Sequence, residues 1–351
     1  DDTQREWIVK GTAGSLHAPE SALWVGGSGT TARFLTAAAP LAGGDVLIDG
    51  EERMRSRPMA GLVRALRQLG AEIVGEALPL VVRGGGLAGG VVEVPTAETS
   101  QFVSAMLMVG PLASGPLEVR PTGEFPSKAY AASTIELMVL FGADIEAKAA
   151  GWRVQGAYTG HELVVEGDAS AAVYPWVAAA ITGGKVTVKG LGSRSSQPDL
   201  AVAGVLESMG CGVESHEDLI TLTGPAGPLR PIESDLSAMP DGALAVAVAC
   251  VFGSGPSRLS GLGSLEWKES DRGRALAAEL TKVGATVRFE EGLLVIEPGG
   301  ELRPAVLDSH GDHRLAMAFS LLGLAVEGIA VTEPECVSKT WPGYFEMLAS
   351  L

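Results

Sequence analysis

The stretch "LGAEI" at residues 69–73 recurs along the chain as "FGADI" (141–145), "MGCGV" (209–213) and "VGATV" (283–287). Its glycines fall at 70, 142, 210 and 284, a spacing of 68 to 74 residues. Before the first copy, Met59, Leu62, Val63, Leu66 and Leu69 lie on one helical face; before the third, Val202, Val205, Leu206 and Met209 do the same. A glycine at the end of such a segment suits the left-handed residue that closes a helix, and the residues after it read as a strand. The period therefore predicts a repeated α/β module in which helices cover a sheet.

A second series runs half a unit out of phase. Five alanine-rich apolar helices are expected, each opening on a polar cluster: "SGTTAR" (28–33), "ETSQ" (98–101), "GDAS" (167–170), "MPD" (239–241) and "GDHR" (311–314). Each runs down to a glycine turn near Gly44, Gly115, Gly184, Gly255 and Gly328. Extrapolated backwards, the period places an earlier turn glycine near residue 0. A sixth helix mouth is therefore expected upstream, with the first module largely missing from the sequence given.

The 351 residues carry a formal net charge of −16, with 46% hydrophobic and 19% charged side chains. That balance describes a globular chain and disfavours a nucleic-acid or anionic-membrane surface. No apolar run is long and unbroken enough to span a bilayer. Three scattered cysteines, Cys211, Cys250 and Cys336, offer neither a disulfide framework nor a metal-ligand spacing, which fits a reducing cytoplasm.

Helix N-termini present unpaired N–H donors and partial positive charge, so five polar mouths at one phase of a repeat suit an anionic ligand. Cations in short glycine- and proline-bounded motifs reinforce this: Arg33, Arg57 in "RMRSRPM", Lys268 and Arg272 in "WKESDR", Arg314, and Lys339 in "CVSKTWPGYF". Asp241 and Glu269 are the carboxylates in this cationic setting that suit acid–base chemistry. Each residue also has an ordinary alternative. Ser28 or Thr30 could cap the first helix and Asp241 another, Glu269 could pair with Arg272 at i, i+3, His313 could cap or brace its helix, and Trp267 and Trp341 could pack.

Taken together, "GGSGTTARFL" (26–35), "DGEERMRSRPM" (49–59), "TSQFVSAMLM" (99–108), "SKAYAASTIELM" (127–138), "EGDASAAVYPW" (166–176), "MPDGALAVAVA" (239–249), "WKESDR" (267–272), "GDHRLAMAFSLLGL" (311–324) and "CVSKTWPGYF" (336–345) resemble the 5-enolpyruvylshikimate-3-phosphate (EPSP) synthase family, in the family's order and over nearly the whole chain. The resemblance implies an α/β fold of two domains built from repeated units with threefold pseudo-symmetry. The first would span 1–165, with two units and a remnant of a third, and the second 166–351, with three units. A hinge would lie near "LVVEGD" (163–168) and a substrate cleft between the domains. It implies transfer of an enolpyruvyl group from phosphoenolpyruvate to shikimate 3-phosphate, by a cytoplasmic monomer without metal or organic cofactor.

By motif, phosphoenolpyruvate would meet Gly29, Arg57, Gln101, Arg272, Arg314 and Lys339, and shikimate 3-phosphate would meet Thr99, Ser100, Gln101, Ser127, Asp241 and Lys268. Asp241 would be the base on the 5-hydroxyl, and Glu269, helped by Lys339, would exchange the proton at the pyruvyl methylene. Several positions depart from the family's pattern. Its opening Gly-Ser-Lys-Ser motif is absent, Gly27 and Ser264 replace asparagines, Thr99 a serine, Ala129 a proline, and Glu266 an arginine. These departures also fit a truncated, non-catalytic paralogue. The sister enzyme acting on a UDP-amino sugar fits less well, because its loop carries a reactive cysteine where this chain reads "GEERMRSRP" (50–58).

Overall fold

A computed structural model of the chain describes residues 6–351. The recurring glycines do what the period predicts. Gly70, Gly142, Gly210 and Gly284 all have positive φ, between 87° and 109°. They follow the helices Ala60–Gln68, Lys128–Leu140, Ala201–Ser208 and Arg272–Lys282 and lead into the strands Ile73–Val74, Ala143–Lys148, Gly212–Ser215 and Thr286–Glu290. A side chain in that backbone region costs about 1 kcal/mol or more, so the turn selects glycine. The apolar faces read from the sequence at Met59–Leu69 and Val202–Met209 are buried.

Each complete repeat is a four-stranded sheet with one topology. Leu23–Trp24, Val46–Asp49, Leu80–Val82 and Ile73–Val74 lie side by side in that order, the first pair parallel and the others antiparallel. The same arrangement joins Gly90–Pro95, Leu117–Thr122, Gly151–Gly156 and Ala143–Lys148, and again Glu233–Asp235, Ser257–Ser260, Leu293–Glu297 and Thr286–Glu290. Two smaller sheets are parts of this plan. Lys185–Lys189 pairs with the hairpin Gly212–Ser215 and Leu219–Thr223, and Ala305–Leu307 pairs in parallel with Ile329–Val331.

An apolar helix follows the first strand position of each repeat: Gly29–Ala38, Gln101–Val109, Ala169–Thr182, Ala243–Val251 and His313–Leu322. These are the five helices expected from the polar clusters. Of the expected turn glycines after them, Gly44 and Gly328 have positive φ, while Gly183 takes that role beside Gly184. Gly115 and Gly255 are absent from the positive-φ glycines, so their turns do not depend on left-handed backbone.

The chain divides into two compact units. The first comprises residues through Thr96, Ser100–Phe125 and Thr134–Leu163; the second comprises Ala97–Thr99, Pro126–Ser133 and Val164–Leu351. In the first unit the helices Gly29–Ala38 and Gln101–Val109 pack together. In the second, Ala169–Thr182, Ala243–Val251 and His313–Leu322 touch one another pairwise and form the centre of its core. Every residue of Ala243–Val251 is buried, which its small Ala and Val side chains permit at close interhelix distance. Packing of this kind fixes the helix mouths, and hence the polar groups that open them.

Candidate functional site

In the first unit the polar groups gather at the start of Gly29–Ala38. Ser28 caps that helix through its Oγ, which accepts the Thr31 N–H at 3.2 Å, so the ordinary role considered for Ser28 holds. Gly29 has a more particular function. A Cβ there would lie 2.8 Å from both Arg33 Nη1 and Arg57 Nη2, so the missing side chain is what lets two guanidinium groups converge on this helix mouth. Arg33 donates to Gln101 Oε1 at 2.6 Å and to the Pro58 carbonyl at 3.0 Å, and lies over the Phe102 ring at 5.4 Å. Gln101 in turn donates to Thr30 Oγ1 at 3.0 Å, and Arg57 reaches the Gly27 carbonyl at 3.3 Å. Ser100 is buried at the N-cap of Gln101–Val109 without making a side-chain cap bond.

The second unit holds the larger cluster. Asp241 accepts from Lys268 Nζ at 3.0 Å and Arg272 Nη1 at 2.9 Å, and pairs with Arg314 Nη2 at 3.2 Å. Arg272, 1% exposed, is held from three sides. Its Nε and Nη2 bind Asp312 at 2.8 and 3.1 Å, its Nη1 binds Asp241, and its Nη2 also binds Glu269 at 3.0 Å. Glu269 completes the chain of contacts by accepting from Lys339 Nζ at 2.7 Å. The i, i+3 pair expected for Glu269 therefore forms, within a network that joins it to Asp241 through one guanidinium.

Sequence position alone made Asp241 a plausible helix cap, and the structure corrects that alternative. Gly242 occupies the N-cap of Ala243–Val251, and the Asp241 carboxylate is turned to the cations. Asp312 is the residue that caps, accepting the Arg314 N–H at 2.9 Å, while fully buried against Arg272. Ser127 is held at φ 59°, with its N–H donating to the Ser237 carbonyl at 3.0 Å. Backbone in that region is uncommon for serine. Thr99 groups with the second unit, adjoining Ser100 of the first.

Electrostatics follow from the packing. Burial alone would raise the Asp241 carboxyl, but Arg314, Lys268 and Arg272 outweigh it and hold the group well below the usual carboxylate range. Burial likewise opposes ionisation of Asp312, and Arg272 reverses the shift. His313 is pushed down to about 4, first by burial and then by the neighbouring Arg272, Arg314 and Lys339, with Asp312 opposing. It is neutral at pH 7, and its buried Nδ1 lies 3.6 Å from Asp312 Oδ1, beyond hydrogen-bond range. Trp341 packs edge-on against Tyr344, as expected of a packing residue, whereas Trp267 is about half exposed.

Three participants escaped the sequence reading. Asp312 lay inside a quoted motif, but nothing local distinguishes a cap from a buried counter-ion. Tyr130 also lay inside a quoted motif without being singled out, and Asp199 belongs to no quoted motif. Tyr130 donates to Asp199 Oδ2 at 2.6 Å, and Asp199 Oδ1 accepts the Gly242 N–H at 3.0 Å.

Comparison with known proteins agrees with the motif reading. The family described as EPSP synthase (3-phosphoshikimate 1-carboxyvinyltransferase) matches residues 1–348. A 3-phosphoshikimate 1-carboxyvinyltransferase of Sulfurovum sp. (strain NBC37-1) is 39% identical over 361 residues, spanning 100% of this chain and 84% of that protein. Its counterpart in Shewanella halifaxensis is 40% identical over 98% of this chain and 82% of its own length. Among solved structures, EPSP synthase from Acinetobacter baumannii superposes with a TM-score of 0.77 at 28% identity, covering 95% of this chain and 79% of that one. The enolpyruvyl transferase NikO from Streptomyces tendae shares the fold at 17% identity, with a TM-score of 0.70 and 96% coverage of both chains.

Proposed function

The chain belongs to the EPSP synthase family, and on that premise we propose how its residues share the work of the family's reaction. It transfers the enolpyruvyl group of phosphoenolpyruvate to shikimate 3-phosphate, with release of inorganic phosphate. Asp241 takes the proton of the acceptor's 5-hydroxyl as that oxygen bonds to C2 of phosphoenolpyruvate. Glu269, recharged through Lys339, delivers a proton to C3 in the same step. In the second step the C2–phosphate oxygen bond breaks, the departing phosphate carries off the proton held by Asp241, and the proton that leaves the new methyl group returns to Glu269, giving the enol ether.

The observation that carries this reading is the link Asp241–Arg272–Glu269, in which one buried guanidinium binds both carboxylates at 2.9 and 3.0 Å. It holds the two carboxylates side by side and supplies charge for the developing anion. Arg272, Arg314 and Lys339, with Arg57, Gln101 and the space left by Gly29, take the phosphate and carboxylate of phosphoenolpyruvate. Thr99, Ser100, Gln101, Ser127 and Lys268 hold shikimate 3-phosphate beside Asp241. The enzyme acts as a cytoplasmic monomer.

Steady-state phosphate release tests the assignment. Asp241→Ala should lower kcat about 10³-fold, the range of a positioned general base, while the KM for shikimate 3-phosphate moves only a few-fold. Equal losses in both parameters would reduce Asp241 to a binding group.

A further inference from the structure

The carboxylate of Asp199 is 2% exposed and belongs to none of the groups placed on substrate above. It sits in the short 3-10 turn Pro198–Leu200, 42 positions ahead of Asp241 in sequence, yet its two oxygens are fully committed to the site. Oδ1 accepts the backbone N–H of Gly242, the residue that follows Asp241, at 3.0 Å. Oδ2 accepts both the Tyr130 phenol at 2.6 Å and the Ser170 hydroxyl at 2.9 Å, the latter from the mouth of Ala169–Thr182. Three separate pieces of the second unit thus meet on one carboxylate.

The helix that follows Asp241, Ala243–Val251, has no side-chain cap of its own, and Asp199 accepts the N–H of its N-cap residue Gly242 from outside it. The fit is close. A Cβ on Gly242 would stand 2.9 Å from Asp199 Oδ1 and 2.8 Å from Val202 Cγ2, so a side chain there would force these groups apart. A carboxylate that only balanced charge would need neither this contact nor a glycine opposite it. Burial and the Asp241 charge push the Asp199 carboxyl above its ordinary range, against the opposing pull of Tyr130, Arg314 and Ser170. Since Oδ2 accepts from both hydroxyls, Tyr130 points its proton inward and leaves its oxygen lone pairs outward.

We propose that Asp199 is a positioning residue of the active site: Oδ1 fixes the peptide that presents Asp241, and Oδ2 fixes the polarity of the Tyr130 hydroxyl. The inference rests on Asp241 serving as the base. The side-chain amide of Asp199→Asn separates the two roles. Its oxygen still accepts from Gly242, but its NH₂ faces the hydroxyls and turns the Tyr130 proton outward. Asp199→Ala loses both.

The test is steady-state kinetics of the full chain with phosphoenolpyruvate and shikimate 3-phosphate, normalised to folded protein by circular dichroism. Asp199→Ala should lose about 100-fold in kcat, the scale of a misplaced reacting group. Asp199→Asn should recover kcat to within about threefold while the KM for shikimate 3-phosphate stays raised about tenfold. Tyr130→Phe should raise that KM by a similar factor, and Asp199→Asn added to it should do little more, because both act through one hydroxyl. Gly242→Ala, which displaces Oδ1 by contact, should lose kcat in the same direction as Asp199→Ala. An unchanged kcat per folded molecule in Asp199→Ala overturns the proposal. So do additive KM effects of Asp199→Asn and Tyr130→Phe. If Asp199→Ala does not fold, the Asp199→Asn and Gly242→Ala results decide alone. Asp241→Asn serves as the control: full turnover there defeats the base assignment, whereas a dead Asp241→Asn beside an unaffected Asp199→Ala defeats only the positioning role.

Discussion

The two units assemble cationic side chains by different physical means. In the first, Arg33 and Arg57 converge because a side chain is missing: Gly29 leaves the space both guanidiniums occupy, and a carbonyl or side-chain amide anchors each. In the second, Lys268, Arg272, Arg314 and Lys339 are interleaved with Asp241, Glu269 and Asp312. The first arrangement is steric and the second is electrostatic. Substitutions in the first should therefore act on binding, and substitutions in the second on stability as well.

The most severe test falls on Asp312. Neither it nor Arg272 is more than 1% exposed, and their bidentate contact is the part of the network most remote from water. Removing one partner of a buried pair leaves an uncompensated charge, at about 3–5 kcal/mol. Asp312→Ala should lose that much in urea unfolding, a large share of the roughly 5–15 kcal/mol typical of a folded domain. It also strips the cap from His313–Leu322, which adds to the loss. A variant less than about 1 kcal/mol weaker would show that Asp241 and Glu269 suffice to hold Arg272, and the contrast between the units would narrow.

How much of this contrast the sequence shows depends on whether the physics is local. Gly70, Gly142, Gly210 and Gly284 are legible because the backbone conformation itself demands glycine, so position and residue type carry the same information. Gly115 and Gly255 looked equivalent, yet their turns run without positive φ. The five helix mouths are legible because capping residues and apolar runs adjoin. Asp199 and Asp312 are not, because an aspartate in a turn reads as a cap or a solvated group until burial and distant partners are known. Gly242 donates to a carboxylate 43 residues away, a link that no local pattern encodes. The role of Gly29 falls between these cases: its motif is visible, but its two guanidinium neighbours come from separate segments.

His313 offers a smaller electrostatic effect with a defined pH window. Its folded pKa of about 4 lies below the ordinary 6.5, so the unfolded chain takes up the proton first as pH falls. Its contribution is complete above pH 6.5 and is lost progressively down to about 4, approaching ~3 kcal/mol. His313→Asn should flatten that part of the stability-versus-pH curve while leaving the loss below pH 3.8, where Asp241 and Asp312 protonate in the unfolded chain before they do in the folded one. An unaltered slope between pH 6.5 and 4 in this variant would assign the loss to other groups.

The smallest change in free energy belongs to Gly29, and its pattern should be the reverse of that at Asp312. The added methyl of Gly29→Ala meets the flexible ends of Arg33 and Arg57, which can swing aside without disturbing the buried helix. Alanine also suits a helix better than glycine, by up to roughly 1 kcal/mol in a helix interior and less at this first position. Unfolding by urea should therefore change little. The displaced guanidiniums, however, no longer converge, and the KM for phosphoenolpyruvate should rise about tenfold, equivalent to ~1.4 kcal/mol. The KM for shikimate 3-phosphate should stay near its parent value. If Gly29→Ala instead destabilised the chain and left the phosphoenolpyruvate KM unchanged, Gly29 would be a packing residue, and the steric description of the first unit would fail.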